Sequence, residues 1–165
     1  MSVEGQKFYP GESATPRQIA ALADEYRQAA NALLKTGRRG VPLSRAPYRF
    51  VAIHAIELYL NALLLAGGCP SVDLRRMHHD LTSRSALAVD RLRLRKRTLA
   101  HLATLSETRE YLTTRYAPEA TITSELNRLA ATLAEVAEKV GAFIKRADDL
   151  TGTRGPQASA GRKTD

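Results

Sequence analysis

The chain predicts an all-α protein, and three observations carry that prediction. Ala, Leu, Arg and Glu are abundant while β-branched residues are sparse, which favours helix over sheet. Apolar residues recur three and four positions apart through several long stretches. Pro, Gly and small polar residues fall where helices start and stop. At 165 residues and 44% hydrophobic content, the chain has the length of one domain, enough to bury a core without disulfide or metal staples.

The first 14 residues contain Gly5, Pro10 and Gly11 without a sustained period and are expected to form an N-terminal arm. Thr15, Pro16 and Gln18 then give an N-cap, a proline at the first helical position and a capping-box partner. The helix they open runs to about Lys35 on the stripe Ile19, Leu22, Ala23, Tyr26, Ala30, Leu33 and Leu34. Gly37 is expected to close it in a left-handed conformation. GRRGVPLSRAP reads as a loop. A second helix is expected from Pro47 to Ala66, stopped by Gly67 and Gly68. Its apolar residues fall nearly all round the cylinder, so it belongs at the centre of a bundle or in a dimer interface.

CPSVDLRRMH holds a turn, with one helical turn capped by Ser71. A helix over about 80–91 offers Leu81, Leu87 and Leu92 to the core, and another over about 95–113 offers Leu99, Leu102, Leu105 and Leu112. The RLRLRKR segment between them contains no breaker. TTRYAPEAT is expected to be a loop fixed by Pro118. Thr121 or Thr123 then caps a long helix to about Ala147, with the stripe Leu126, Leu129, Leu133, Val136, Val140, Phe143 and Ile144. Residues 148–165 are polar, basic and Gly-rich, the composition of a disordered tail.

Composition also excludes several classes of function. A single cysteine, Cys69, rules out an internal disulfide framework and a Cys-based zinc site, and suits a reducing compartment. No apolar run is expected to span a bilayer and the N-terminus lacks a signal-peptide core, so a cytoplasmic protein without a membrane partner is expected. There is no Gly-rich phosphate loop, nucleophile elbow or HExxH motif, and no cofactor is expected. His78, His79 and Asp80 adjoin, but neighbours on one short segment cannot build a transition-metal site. The net charge of +8, with 19 arginines, suits phosphate-bearing or acidic partners. Its densest element is 91–97; with no aromatic interleaved, that run would bind nucleic acid through phosphates rather than by stacking.

The second helix carries one anomaly. His54, Glu57 and Asn61 share a face with Phe50, Ile53, Leu60 and Leu64, and an unpaired carboxylate there would carry a desolvation penalty of several kcal/mol. Glu57 therefore needs a partner, and His78, His79, Arg115 and the 91–97 arginines are available. Otherwise Glu57 and Asn61 mark a narrow solvent-exposed strip.

The order AIELYLNALLLAGG from Ala55, then His79, Asp80 and Leu81, then Thr114, Arg115, Tyr116, Ala117 and Pro118 resembles the bacterial branch of the HEPN domains (higher eukaryotes and prokaryotes nucleotide-binding) over roughly residues 15–145. The resemblance implies a HEPN-like up-and-down bundle of four or five helices that often forms a homodimer. It also implies binding of a nucleotide or RNA, with Glu57 matching the family's helix-2 carboxylate and His79, Asp80, Arg115 and Tyr116 its loop residues.

Some members of that family are metal-independent ribonucleases carrying Arg, four to six residues, then His. Arg49 with His54 and Arg95 with His101 both fit. His moves the proton of a 2′-hydroxyl while Arg stabilises charge on the phosphate. An Arg-rich chain produces such spacings by coincidence, so spacing selects neither pair. Arg95 and His101 have the better electrostatic setting, although Lys96 stands where the ribonucleases often have a polar residue. Three readings follow: a binding module for a nucleotide or RNA, a protein-interaction module whose polar cluster is an internal brace, and, third, a ribonuclease.

Overall fold

The computed structural model describes residues 9–119 and 123–152, among which there are seven α-helices, one 3-10 turn and no strand. The protein is all-α. Helix α1 (Pro16–Thr36) opens on the expected capping box: the Thr15 amide donates to the Gln18 side chain at 2.9 Å and the Gln18 amide to the Thr15 hydroxyl at 3.2 Å. Its far end differs from expectation. Gly37 is extended rather than left-handed, and the last turn is closed by Arg45, whose guanidinium lies over Gly37 and donates to the Leu34 carbonyl at 2.7 Å. Part of the expected loop is a 3-10 turn, Pro42–Arg45.

Helix α2 (Ala46–Ala66) is the axis of the molecule, packed against α1, α7 (Leu126–Gly152), α6 (Glu110–Tyr116) and α4 (Leu81–Leu92). Tyr48, Ile53, Ile56, Tyr59, Leu60 and Leu63 are buried in different directions around it, which is why its apolar residues show no single stripe. Ala23 and Ala30 let α1 approach closely, and Leu129, Leu133, Val136 and Val140 supply the α7 side. Contrary to the sequence expectation, Pro42–Ala66 is long and apolar enough to cross a membrane by length and composition, its most apolar 18-residue window having a mean hydropathy of 1.5. In this fold 56% of that window is buried inside the protein.

At the end of α2, Gly68 takes a φ of +87° and the Cys69 amide returns to the Leu64 carbonyl. Ser71 does not cap α3 (Ser71–Arg76): it is the first helical residue, and Pro70 holds the cap position. Asp80 caps α4, whose buried face is Leu81, Arg84, Ser85, Ala88 and Leu92; Leu87 is exposed, not in the core. The breaker that 91–97 lacks in sequence is supplied by Arg93, left-handed at φ +46°, and α5 (Lys96–Glu107) follows.

The expected helix to Thr113 is two helices. A second left-handed arginine, Arg109 at φ +51°, separates α5 from α6, so Thr113–Tyr116 are helical rather than loop. Tertiary bonds on both sides set this corner. Ser106 is drawn to the start of α4 and Glu110 to Arg49. Thr123 lies before Ser124 and Glu125, outside α7, and Thr121 lies outside the described residues. Helix α7 runs past the expected end at Ala147 to Gly152; the remainder of the expected tail, and residues 1–8 of the arm, lie outside the described residues.

Candidate polar site on the central helix

Helical spacing sets His54, Glu57 and Asn61 on one face of α2, and the start of α4 is brought against them. Arg84 reaches from α4 into this junction with only 2% of its side chain exposed. Its Nη2 stands 3.6 Å from Glu57 Oε1, and its Nε donates to Asn61 Oδ1 at 2.7 Å. The remaining donors go to the carbonyls of Leu74, Met77 and Asp80. One guanidinium thus ties α2, α3 and the α3–α4 turn together. Burial pulls its pKa below the ordinary value, opposed by the charges of Glu57 and Asp80.

The other Glu57 oxygen faces His79, with Oε2 2.9 Å from Nδ1. The backbone reaches this place through a left-handed His78, φ +45°, and the His79 ring leans on Tyr111 at 4.7 Å between centroids. His79 is 38% exposed and Glu57 12%. Both line a cavity of about 510 Å3 together with His54, Asn61 and the Tyr9–Glu12 segment of the arm. Arg75 holds that segment, its guanidinium 4.6 Å from the centre of the Tyr9 ring and 3.7 Å from Glu12. His54 packs edge-on to Tyr26 and stacks with Phe50; burial lowers its pKa, partly offset by Glu57.

The five residues expected to form one cluster divide. Glu57 and His79 meet. Asp80 stands beside them but is spent on the start of α4, accepting from the Ser83 amide at 3.0 Å and the Ser83 hydroxyl at 2.5 Å; the hydroxyl bond is the main reason its carboxyl sits below the usual range. Ser106 completes that cap by accepting from the Leu81 and Thr82 amides. Arg115 lies instead over the Phe50 ring at 4.4 Å, and Tyr116 projects into solvent. The partner of Glu57 that the sequence reading missed is Arg84. Its signal was available: Leu81, Arg84 and Ala88 share the buried face of α4, so the arginine is as anomalous there as Glu57 is on α2.

Neither ribonuclease-like pair forms an open site. Arg95 is exposed at the start of α5, while His101 is 6% exposed, with Nδ1 2.8 Å from the Thr132 hydroxyl and Nε2 buried without a hydrogen-bond partner among the described residues. Burial lowers its pKa. Arg49 is buried against Glu110 at 2.8 Å, and Glu110 also accepts from the Ser124 amide. Among the described residues, no three His, Cys, Asp or Glu side chains come together as a metal site requires.

The 91–97 segment presents its charges in another way. Leu92 and Leu94 are buried, leaving Arg91, Arg93, Arg95, Lys96 and Arg97 exposed. Arg91 donates to the Gly67 carbonyl at 3.2 Å, whereas the side chains of Arg93, Arg95, Lys96 and Arg97 have no carboxylate partner among the described residues. The arrangement defines an all-α bundle with a dry guanidinium anchor under a polar cavity, and with a separate basic edge. No family model, curated protein or solved structure matches the chain.

Proposed function

We propose that this chain is a HEPN-like binding module that engages a nucleotide or RNA without turnover. The observation that carries the reading is the exposure of His79: a purely internal brace would be closed, whereas this imidazole and Glu57 face a cavity of nucleotide-compatible size. The exposed Arg93, Arg95, Lys96 and Arg97 supply attraction for phosphates. A histidine that must reach a 2′-hydroxyl is poorly served by the buried position of His101. Pairing with a second copy belongs to the same proposal and is read by light scattering.

The test is titration of the full chain with a labelled single-stranded RNA and with mononucleotides across a salt series. Binding of RNA that falls by orders of magnitude between low and physiological salt, and that weakens on Arg93→Ala/Arg95→Ala/Arg97→Ala, is expected. Flat salt dependence counts against it. A second reading, in which the cluster only braces a protein-interaction module, is favoured by the complete satisfaction of Arg84. It is selected if neither RNA nor a mononucleotide binds with any dependence on His79 and the full chain still pairs with a protein partner.

A further inference from the structure

A second cavity, of about 550 Å3, opens at the other end of α2, between the 37–46 connection and the end of α6. Four arginines line it, Arg38, Arg39, Arg45 and Arg49, against one carboxylate, Glu119. Arg49 is neutralised by Glu110 and Arg45 is tied to the Leu34 carbonyl. The guanidinium groups of Arg38 and Arg39 have neither an ion pair nor a hydrogen bond among the described residues.

These two side chains are carried by a loop that is closed on itself. The Ser44 hydroxyl accepts from the Arg38 amide at 2.7 Å and donates to the Val41 carbonyl at 2.7 Å, and the Val41 amide returns to the Arg38 carbonyl. Gly40, at φ +74°, permits the bend. The first residue of α2, Ala46, also lines the cavity, so the positive end of a 21-residue helix dipole adds to the arginine charge. Val41 and Leu43 give the same cavity an apolar wall, and both are left partly exposed.

We propose that this cavity is a binding site for a mononucleotide-sized phosphate ester, with Arg38 and Arg39 holding the phosphate and the Val41/Leu43 wall taking the apolar part of the ligand. A guanidinium matches phosphate geometry, and the apolar Val41/Leu43 side of the cavity suits a ring rather than a second charged group. The cavity has the volume of a small-molecule site, not of a duplex groove. It is separate from the Glu57 cavity and from the 91–97 edge, so ADP binding lost in Arg38→Ala/Arg39→Ala but kept in His79→Ala belongs to this cavity and not to the site proposed above.

The experiment is calorimetric titration of the full chain with inorganic phosphate, ADP and a single-stranded RNA octamer at low salt. ADP is expected to bind more tightly than phosphate, and Arg38→Ala/Arg39→Ala to weaken ADP by at least about tenfold, the loss expected for two charge-assisted contacts. Lys145→Ala/Arg146→Ala removes the same charge from the exposed face of α7 and is expected to change ADP affinity less than about twofold. Equal weakening by the two pairs, or no ADP binding at millimolar concentration, overturns the site. So does octamer binding through Arg38 and Arg39 without ADP binding. A thermal melt of Arg38→Ala/Arg39→Ala matching the unaltered chain separates ligand loss from unfolding.

Discussion

Glu57 and Arg84 are the residues whose energetics are most sharply defined. Removing the carboxylate strands a guanidinium that is 2% exposed, so Glu57→Ala is expected to destabilise by more than about 2 kcal/mol in a urea melt. Arg84→Ala is expected to cost about 3 kcal/mol or more, because it also frees Asn61 and three carbonyls. Glu57→Leu combined with Arg84→Met should cost less than the two single losses added together, since neither charge is left buried alone, while Asn61 and the three carbonyls still lose their donor. A change below about 0.5 kcal/mol for both single variants would mean that the junction is wet and the pairing marginal. Half of this site was legible in the sequence. A carboxylate on an apolar helix face demands a partner, and His79 was among those considered. Arg84 was not among those candidates, because only the docking of α4 on α2 turns its face inward.

Helix ends in this protein are closed largely by residues distant in sequence. Arg45 closes α1, Arg91 reaches the last turn of α2, and Ser106 caps α4. Glu135 on α7 accepts from the Arg95 amide and the Thr98 hydroxyl at the start of α5, and from Lys139, which also donates to the Arg93 carbonyl. Burial alone would raise this carboxyl, but the hydrogen bonds from Lys139, Thr98 and the Arg95 amide outweigh it and bring it down to about 2. Glu135→Gln is expected to destabilise by about 1.5–3 kcal/mol at neutral pH, read by denaturant midpoint. Arg93→Gly is expected to stabilise by about 0.5–1 kcal/mol, since glycine occupies a φ of +46° without strain and the exposed side chain makes no ion pair among the described residues. Loss of stability in that variant would show that the arginine side chain itself holds the turn.

For the whole molecule, these groups set how stability depends on pH. His54 and His101 have folded pKa values below the ordinary 6.5, so the unfolded chain takes up protons first and stability falls as pH drops through 6.5. Glu135, depressed from 4.5 to about 2, adds stability above 4.5 that is lost as pH falls from there towards 2. Two successive losses are therefore expected in thermal melts between pH 7.5 and 3. The lower one should shrink in Glu135→Gln, and the upper one should shrink in His101→Asn if that variant folds. A melting temperature that is level from pH 7.5 to 5 would contradict the neutral state of the half-buried His54 and the buried His101.

Amino-acid order alone determined what local chemistry can specify: the all-α class, the capping box at Thr15, the stop at Gly67 and Gly68, the apolar circumference of α2 and the anomaly of Glu57. Caps and periodicity act over a few residues and can be read without knowing neighbours. The left-handed arginines at 93 and 109, the split of α5 from α6, the choice of Arg84 over Arg115 as the partner of Glu57, and the gathering of four arginines at the start of α2 were decided by tertiary structure. Each depends on which helix faces cover one another, and therefore on burial and bonds between residues tens of positions apart.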